Sequence, residues 1–325
     1  MEKTTRPKVS VIVAVYNVEP YVERCAHSLF GQTLDDLEYI FVDDCSPDDS
    51  IEIIKKTLDH YPHRRRQVKF IHHETNQGQA GARTTGMKAA TGEYMIHCDP
   101  DDWVELNMYE LMYNAAHPIG RPPIDVVLCN YQLHEPGGTK KGYIREFHTP
   151  QDYLKKVYKK NASIFFLPCR LVLSDLIKKY AIYPFPGIDF GEDRNVSIRI
   201  YHYARTVLLV PQHLYHYNKM NENAITRSQR NAELWKSWKP NVDEICRFLL
   251  SVNDKEYRRA SNYFKLDAKM QFRDIFKNAK EWYNLYHECH RDIIYFEENS
   301  LYSRLVLWLI LSDYCFYRFY DFMKH

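Results

Sequence analysis

The sequence predicts an α/β fold: a mostly parallel, mixed sheet flanked by helices, with a helical module at the C-terminal end. Three observations carry this expectation. Four short β-rich runs alternate with helix-like segments over the first hundred residues, and beyond residue 120 the pattern changes to mixed short elements. From about residue 228 the chain is charged, aromatic and free of glycine, with Pro240 as its only proline.

The runs VSVIVAVY (9–16), EYIFVDD (38–44), VKFIHH (68–73) and EYMIHCD (93–99) predict strands. Between them EPYVERCAHSLFGQ, DDSIEIIKKTLDHY and GARTTGMKAATG carry apolar residues near helical spacing, so the order reads βαβαβαβ and implies a parallel sheet. Ligands of such sheets bind at the carboxyl ends of the strands. Three of these strands end in polar or acidic clusters: Asn17, Asp43-Asp44 and Asp99-x-Asp101-Asp102. Further on, IDVVLCNYQL predicts a strand, EPGGTKKG a turn, and TVLLVPQHLYHY two strands broken by Pro211, a second half built onto the same sheet. GIDFGEDRNVSIRIYHYA begins with glycines and continues at helical spacing, which puts Glu192 and Asp193 in the first turn of a helix. The expected organisation is one domain over 1–227, with halves at about 1–118 and 119–227, and the helical module over 228–325.

With 325 residues, 45% of them hydrophobic, the chain can bury a sizeable core. Its 44 basic and 42 acidic residues leave a formal charge of +2, so no global field points to DNA or RNA and an anionic ligand must be met locally. The eight cysteines are dispersed, with no C-x-x-C pair, which suits reduced thiols better than a disulfide framework or a zinc site. His72-His73 and His97-Cys98 are adjacent pairs whose members face opposite sides of a strand, and they read as structural. A polar lead of eight residues precedes an apolar run too short for a spanning helix, and there is no cleavage region, so the expected location is cytoplasmic or peripheral at the inner face of the membrane.

The densest chemistry lies in GEYMIHCDPDDW, where Asp99, Asp101 and Asp102 fall within four positions. Like charges this close need a divalent cation, a helix N-terminus or solvent. Asp102 stands three residues before Glu105 and ahead of an apolar helical run, the D-x-x-E form of a capping box, and is expected to cap. Asp99 and Asp101 flank Pro100 and suit a hard cation such as Mg²⁺ or Mn²⁺, whose shell phosphate oxygens would complete. In VDDCSPDDS, Ser46, Pro47 and Asp49 predict a second capped helix, leaving Asp43 and Asp44 at the strand end, where a carboxylate can accept a hydrogen bond from a base or ribose edge.

Taken in order, VSVIVAVYN, VDDCSPDDS, NQGQAGARTTG, GEYMIHCDPDDW, GEDRNVSIRIYHYA and LYHYNKMNENAIT resemble glycosyltransferase family 2, over about residues 8 to 227. The resemblance implies the GT-A nucleotide-diphospho-sugar fold, with a nucleotide half and an acceptor half, and an inverting, metal-dependent transfer from a nucleotide-diphospho-sugar, UDP-linked, to a glycan or lipid-linked saccharide in surface polysaccharide or glycolipid synthesis. It implies that Asp44 accepts the imide N–H of uracil, with Tyr16 and Asn17 close to the base. Arg83 would face the nucleotide, Asp99 the ribose side, and Asp101 the metal that bridges to the diphosphate. Asp193 matches the general base on the acceptor side, Glu192 is its neighbour, and His216 lies where some members of the fold place a residue near the diphosphate or metal. Ala14 and Thr84 depart from the family pattern, which has proline and asparagine there, and Pro100 stands where serine is common. The competing class is a non-catalytic nucleotide-sugar-binding scaffold of a polysaccharide-assembly complex, against which the intact Asp44, Asp99, Asp101 and Asp193 speak. A sugar-nucleotidyltransferase would need a glycine-rich phosphate loop, and VYNVEPYVERC has none.

The final segment, ENSLYSRLVLWLILSDYCFYRFYDFMKH, holds a seven-residue apolar run that is too short to span a bilayer. It predicts either a helix packed on the protein or a partner subunit, or an interfacial helix peripheral at the inner face of the membrane. Arg304, Arg318 and Lys324 are nearly offset by Asp313 and Asp321, which favours packing.

Overall fold

A computed structural model of the chain describes residues 6–144, 149–155, 165–221, 232–272, 275–276 and 279–295. The terminal apolar run lies outside the described residues.

The alternation begins with β1 (Val9–Val15), α1 (Glu19–Phe30), β2 (Leu37–Asp43), α2 (Ser50–Leu58), β3 (Val68–His72), α3 (Gly78–Ala89) and β4 (Tyr94–His97). β1 pairs in parallel with β2 and β4, and β2 with β3. β1, β2 and β4 are buried along almost their whole length, as a sheet covered on both faces requires. α3 lies close against β1 because Gly86 has no side chain: a Cβ there would stand 2.4 Å from Ile12 Cγ2.

The rest of the sheet is mixed. β5 (Trp103–Val104), α4 (Met108–Ala116), β6 (Val126–Glu135), β7 (Gly138–Gly142), a short helix α5 (Pro150–Lys155), β8 (Arg170–Leu173), α6 (Ser174–Lys179), α7 (Glu192–Tyr203) and β9 (Val207–Asn218) follow. The strand order is β3-β2-β1-β4-β8-β6-β9-β5, with β7 paired to β6. Two expectations are corrected. The segment read as a turn contributes its GTKKG half to β7, antiparallel to Tyr131–Glu135. Pro211 does not divide β9; the register against β6 shifts around Cys129 to Tyr131, and Asn130 Nδ2 donates to the Pro211 carbonyl at 2.8 Å. A bulge thus accommodates the proline inside one strand.

The chain forms two compact units, residues 1–150 with 163–227 and residues 151–162 with 228–325. The second contains α8 (Ala232–Gln271), kinked at Asn253 where φ −160° and ψ 83° leave the helical region, and α9 (Ala279–Asn284). Among the described residues no helix is long and apolar enough to cross a membrane, and the seven described cysteines are free thiols.

Candidate active site

The tips of β1 and β2 turn together. Asn17 (φ 52°) and Cys45 (φ 60°) both take the left-handed conformation, which costs a non-glycine residue and here reverses the chain just past each strand. The Asp44 amide donates to the Val15 carbonyl at 3.0 Å, and the Asn17 amide to Ser46 Oγ at 2.9 Å. Tyr16 is left half exposed at the rim of this tip. The polar loop after β2 is expected to cap its own helix, and it serves both helices: Asp48 Oδ2 accepts from the Glu19 amide at 2.9 Å and Ser50 Oγ from the Val18 amide at 3.2 Å on the α1 side, while Asp48 Oδ1 accepts from the Ser50 amide of α2 at 3.2 Å. α2 begins only at Ser50, and Asp49, the residue before it, makes no side-chain cap hydrogen bond. Partial burial would raise the Asp48 carboxyl, but hydrogen bonds from Ser46, Ser50 and backbone amides outweigh it and hold the group below its ordinary value.

Asp44 is buried, and its Oδ1 accepts two hydrogen bonds, from the Gln77 amide at 2.8 Å and from His73 Nδ1 at 2.7 Å. His73 Nε2 stands 2.9 Å from Thr85 Oγ1 on α3. Two residues earlier on the same helix, Arg83 is buried and bridges the sheet to α7: Nη2 donates to Asp99 Oδ1 at 2.7 Å and Nη1 to Glu192 Oε1. Burial alone would lower the Arg83 pKa, but the charges of Asp99, Glu192 and Asp193 raise it above the ordinary value, so the guanidinium stays charged. Thr84, where the family pattern has asparagine, donates its hydroxyl back to the Ala80 carbonyl at 2.7 Å.

Glu192 and Asp193 open α7, preceded by Gly191 at φ 79°, a backbone state that glycine adopts without strain. Burial pushes both carboxyls up; the Arg83 charge pulls Glu192 back, and the Arg194 and Arg83 charges do the same for Asp193. Asp193 Oδ1 accepts from the Arg194 amide at 2.7 Å.

Asp102 does not cap a helix. α4 starts at Met108, beyond reach of a capping box, and Asp102 is buried, accepting from Tyr215 Oη at 2.6 Å and from the Asn218 amide at 2.7 Å. Burial, with the Asp101 and Asp99 charges, pushes its carboxyl well up. It ties the loop after β4 to β9, and three more contacts from the same segment complete the tie. Tyr215 Oη accepts from the Asp99 amide at 3.3 Å, Asn218 Nδ2 donates to the Asp101 carbonyl at 3.1 Å, and Asn221 Nδ2 donates to Asp101 Oδ2 at 2.9 Å. Burial and the Asp99 charge push the Asp101 carboxyl up to about 6.

His216, which the resemblance puts near the diphosphate or metal, pairs with Trp103 of β5. Its ring stacks on Trp103, 5.0 Å between centroids at 10°. Nε2 donates to Glu105 Oε1 at 3.0 Å, and Nδ1 accepts from His134 Nε2 at 2.9 Å, so both nitrogens are engaged. Among the described residues no three His, Cys, Asp or Glu side chains gather into a metal-binding cluster; Asp99 and Asp101 are a pair.

The fold therefore brings Arg83, Asp99 and Glu192 into one bonded network, with Asp101 and Asp193 near enough to act on its charges. Asp44, Tyr16 and Asn17 gather at the neighbouring strand tips. The sequence reads His73 as structural and gives no role to Tyr215, Asn218 or Asn221. His73 was legible in the parallel pairing of VDD with IHH; the others needed the path of β9.

The family model for glycosyl transferase family 2 matches residues 10–181. EpsH of Bacillus subtilis (strain 168), which carries a glycosyltransferase name, is 32% identical over 266 residues, covering 79% of this chain and 74% of its own length. Among solved structures, S. aureus TarS in complex with UDP-GlcNAc superposes with a TM-score of 0.63 at 21% identity, covering 90% of this chain and 82% of that one. The mannosyltransferase PcManGT from Pyrobaculum calidifontis, in complex with GDP-Man and Mn²⁺, has a TM-score of 0.53 at 16% identity, covering 99% of this chain and 85% of that one. The sheet order, the helices on both faces and these matches agree: the chain belongs to glycosyl transferase family 2, has the GT-A fold and is a glycosyltransferase.

Proposed function

We propose that the protein is an inverting, metal-dependent transferase that moves a sugar from a UDP-sugar to an acceptor hydroxyl of a glycan or lipid-linked saccharide, in polysaccharide or glycolipid synthesis. The observation that carries this reading is the buried network in which Arg83 joins Asp99, on the strand-end loop, to Glu192, beside Asp193 on α7. A neighbour that binds UDP-GlcNAc and another that binds GDP-Man with Mn²⁺ support the donor class and the metal.

Asp99 and Asp101 fit Mg²⁺ or Mn²⁺. Asp101 is buried two residues from the Asp99 carboxylate, and burial first, then the Asp99 charge, pushes its carboxyl up; such ions are commonly held by one or two carboxylates plus substrate phosphates. When bound, the ion supplies Lewis-acid stabilisation of the charge left on the departing diphosphate. The chain's own residues do the rest. Asp44 accepts from the base, with Tyr16 and Asn17 beside it. Arg83 fixes Asp99 for the ribose side. Asp193 takes the proton of the acceptor hydroxyl as that oxygen bonds to the anomeric carbon and the carbon–phosphate oxygen bond breaks, its electron pair leaving with the diphosphate. Burial makes this carboxylate a stronger base than a solvated aspartate. A single displacement inverts the anomeric centre.

The test is calorimetric titration of UDP and GDP into the purified protein, with Mn²⁺ and with chelator, on wild type and Asp101→Asn. Binding that requires metal, prefers UDP and weakens in the variant is expected. If neither nucleotide binds in either condition, the chain is a scaffold rather than a transferase of this type.

A further inference from the structure

β2 and β3 run parallel with Asp43 opposite His72, so the two acidic residues at one strand end meet the two histidines at the other in register. Alternation then splits the pairs between the faces. His72 Nδ1 meets Asp43 Oδ2 at 2.8 Å on the exposed side, where the histidine side chain is 65% accessible. His73 meets Asp44 on the other side, with side chains 7% and 3% accessible. The first pair is screened by water. The second is not, and a buried carboxylate bonded by two donors on one oxygen is fixed in orientation.

We infer that His73 is a positioning residue for nucleobase recognition: held by Thr85, it fixes the Asp44 carboxylate as a hydrogen-bond acceptor and so sets selection of uracil over cytosine. This rests on the reading of Asp44 as the base-recognising group. A carboxylate only accepts, so the proton of the His73–Asp44 bond sits on Nδ1, and in the neutral imidazole Nε2 then accepts from the Thr85 hydroxyl. The Gln77 amide adds a second donor to the same Oδ1, which directs the other oxygen to a ligand. An acceptor at that point bonds the N3–H of uracil. It repels the lone pair on N3 of cytosine, the atom at the same place on the ring edge. Thr85 belongs to the helix that carries Arg83, so one element orients the base-side carboxylate and the Asp99 network together.

The experiment measures the affinities of UDP, CDP and inorganic pyrophosphate, each with Mn²⁺, for wild type, His73→Leu, His73→Asn and Thr85→Val, with a melting curve for each. Wild type is expected to prefer UDP to CDP. In His73→Leu the UDP affinity falls about tenfold, the order of one charge-assisted hydrogen bond, while CDP and pyrophosphate affinities hold. His73→Asn, whose side-chain amide keeps a donor near the Nδ1 position, recovers most of the loss. Thr85→Val, nearly isosteric, lowers the UDP to CDP ratio by a smaller factor and keeps the test open if His73→Leu does not fold. An unchanged UDP to CDP ratio in His73→Leu, or in Thr85→Val where only that variant folds, overturns the inference, as does an equal loss for all three ligands, the signature of a purely structural role. If wild type itself binds no UDP, the donor reading has failed and the inference with it; if wild type binds UDP and the variants match it, the inference alone has failed.

Discussion

A guanidinium as deeply buried as that of Arg83 needs counter-charges within hydrogen-bond reach, and Asp99 and Glu192 supply them from two different elements. Lysine would not serve, because a single ammonium lacks the planar fork that spans both partners. Asp193 stands beside this network, bonded to its own helix backbone rather than to Arg83. Its removal should therefore act on proton transfer and not on donor binding. Asp193→Asn is expected to lower kcat by ~10²–10⁴-fold, the usual worth of a positioned base, with UDP affinity unchanged; steady-state kinetics beside a binding isotherm measure both, and normal turnover would place the base elsewhere. At this scale residue types at strand ends are legible in sequence: an aspartate after an apolar run reads as a site candidate. That His216 meets Glu105 and His134, or that Asp102 answers to Tyr215 rather than to a helix end, is not legible, since these partners lie 82 to 113 residues away.

Elements were legible where periodicity is strong and less so at their ends. β1 to β4 and the three helices between them follow from alternation and helical spacing, because each must bury one face against the sheet. The caps do not follow. Asp48 and Ser50 are good capping residues by type, but the turn at the tip of β2 shares them between helices, with Asp48 accepting from the amides of both Glu19 and Ser50 and Ser50 Oγ from that of Val18. Gly86 is the clearest case of an element placed by contact. A side chain there meets Ile12 Cγ2, and α3 cannot retreat without moving Arg83 and Thr85. Gly86→Val is expected to destabilise the protein by ~1–3 kcal/mol through overpacking, read as a lower urea midpoint at an unchanged slope. An unaltered midpoint would mean that the helix–sheet contact is looser than the structure has it.

At the scale of the molecule, each compact unit carries its own buried polar anchor. In the C-terminal unit Lys269 is fully buried; Nζ lies 2.8 Å from the carbonyls of Tyr283 and Leu285 and 2.6 Å from His290 Nε2. Burial lowers its pKa from the ordinary 10.5 to about 7, against the smaller raising influence of Cys289 and Glu288. Above pH 7 the unfolded chain thus holds a proton that the folded one has released, so this residue's contribution to stability grows as pH rises from 7 towards 10.5 and is lost as pH falls through 7. Thermal melts across that range should show wild type gaining stability relative to Lys269→Met; parallel curves would mean the lysine stays charged. Read alone, the sequence determined the alternating order of strands and helices, the acidic strand ends and the family, because periodicity, composition and short motifs are properties of neighbours along the chain. Only the tertiary structure decided that Arg83 joins Asp99 to Glu192, that His73 holds Asp44, and that Asn221, just past β9, holds Asp101. Those contacts depend on strand register and on where turns reverse, and both are set by packing between segments far apart in sequence.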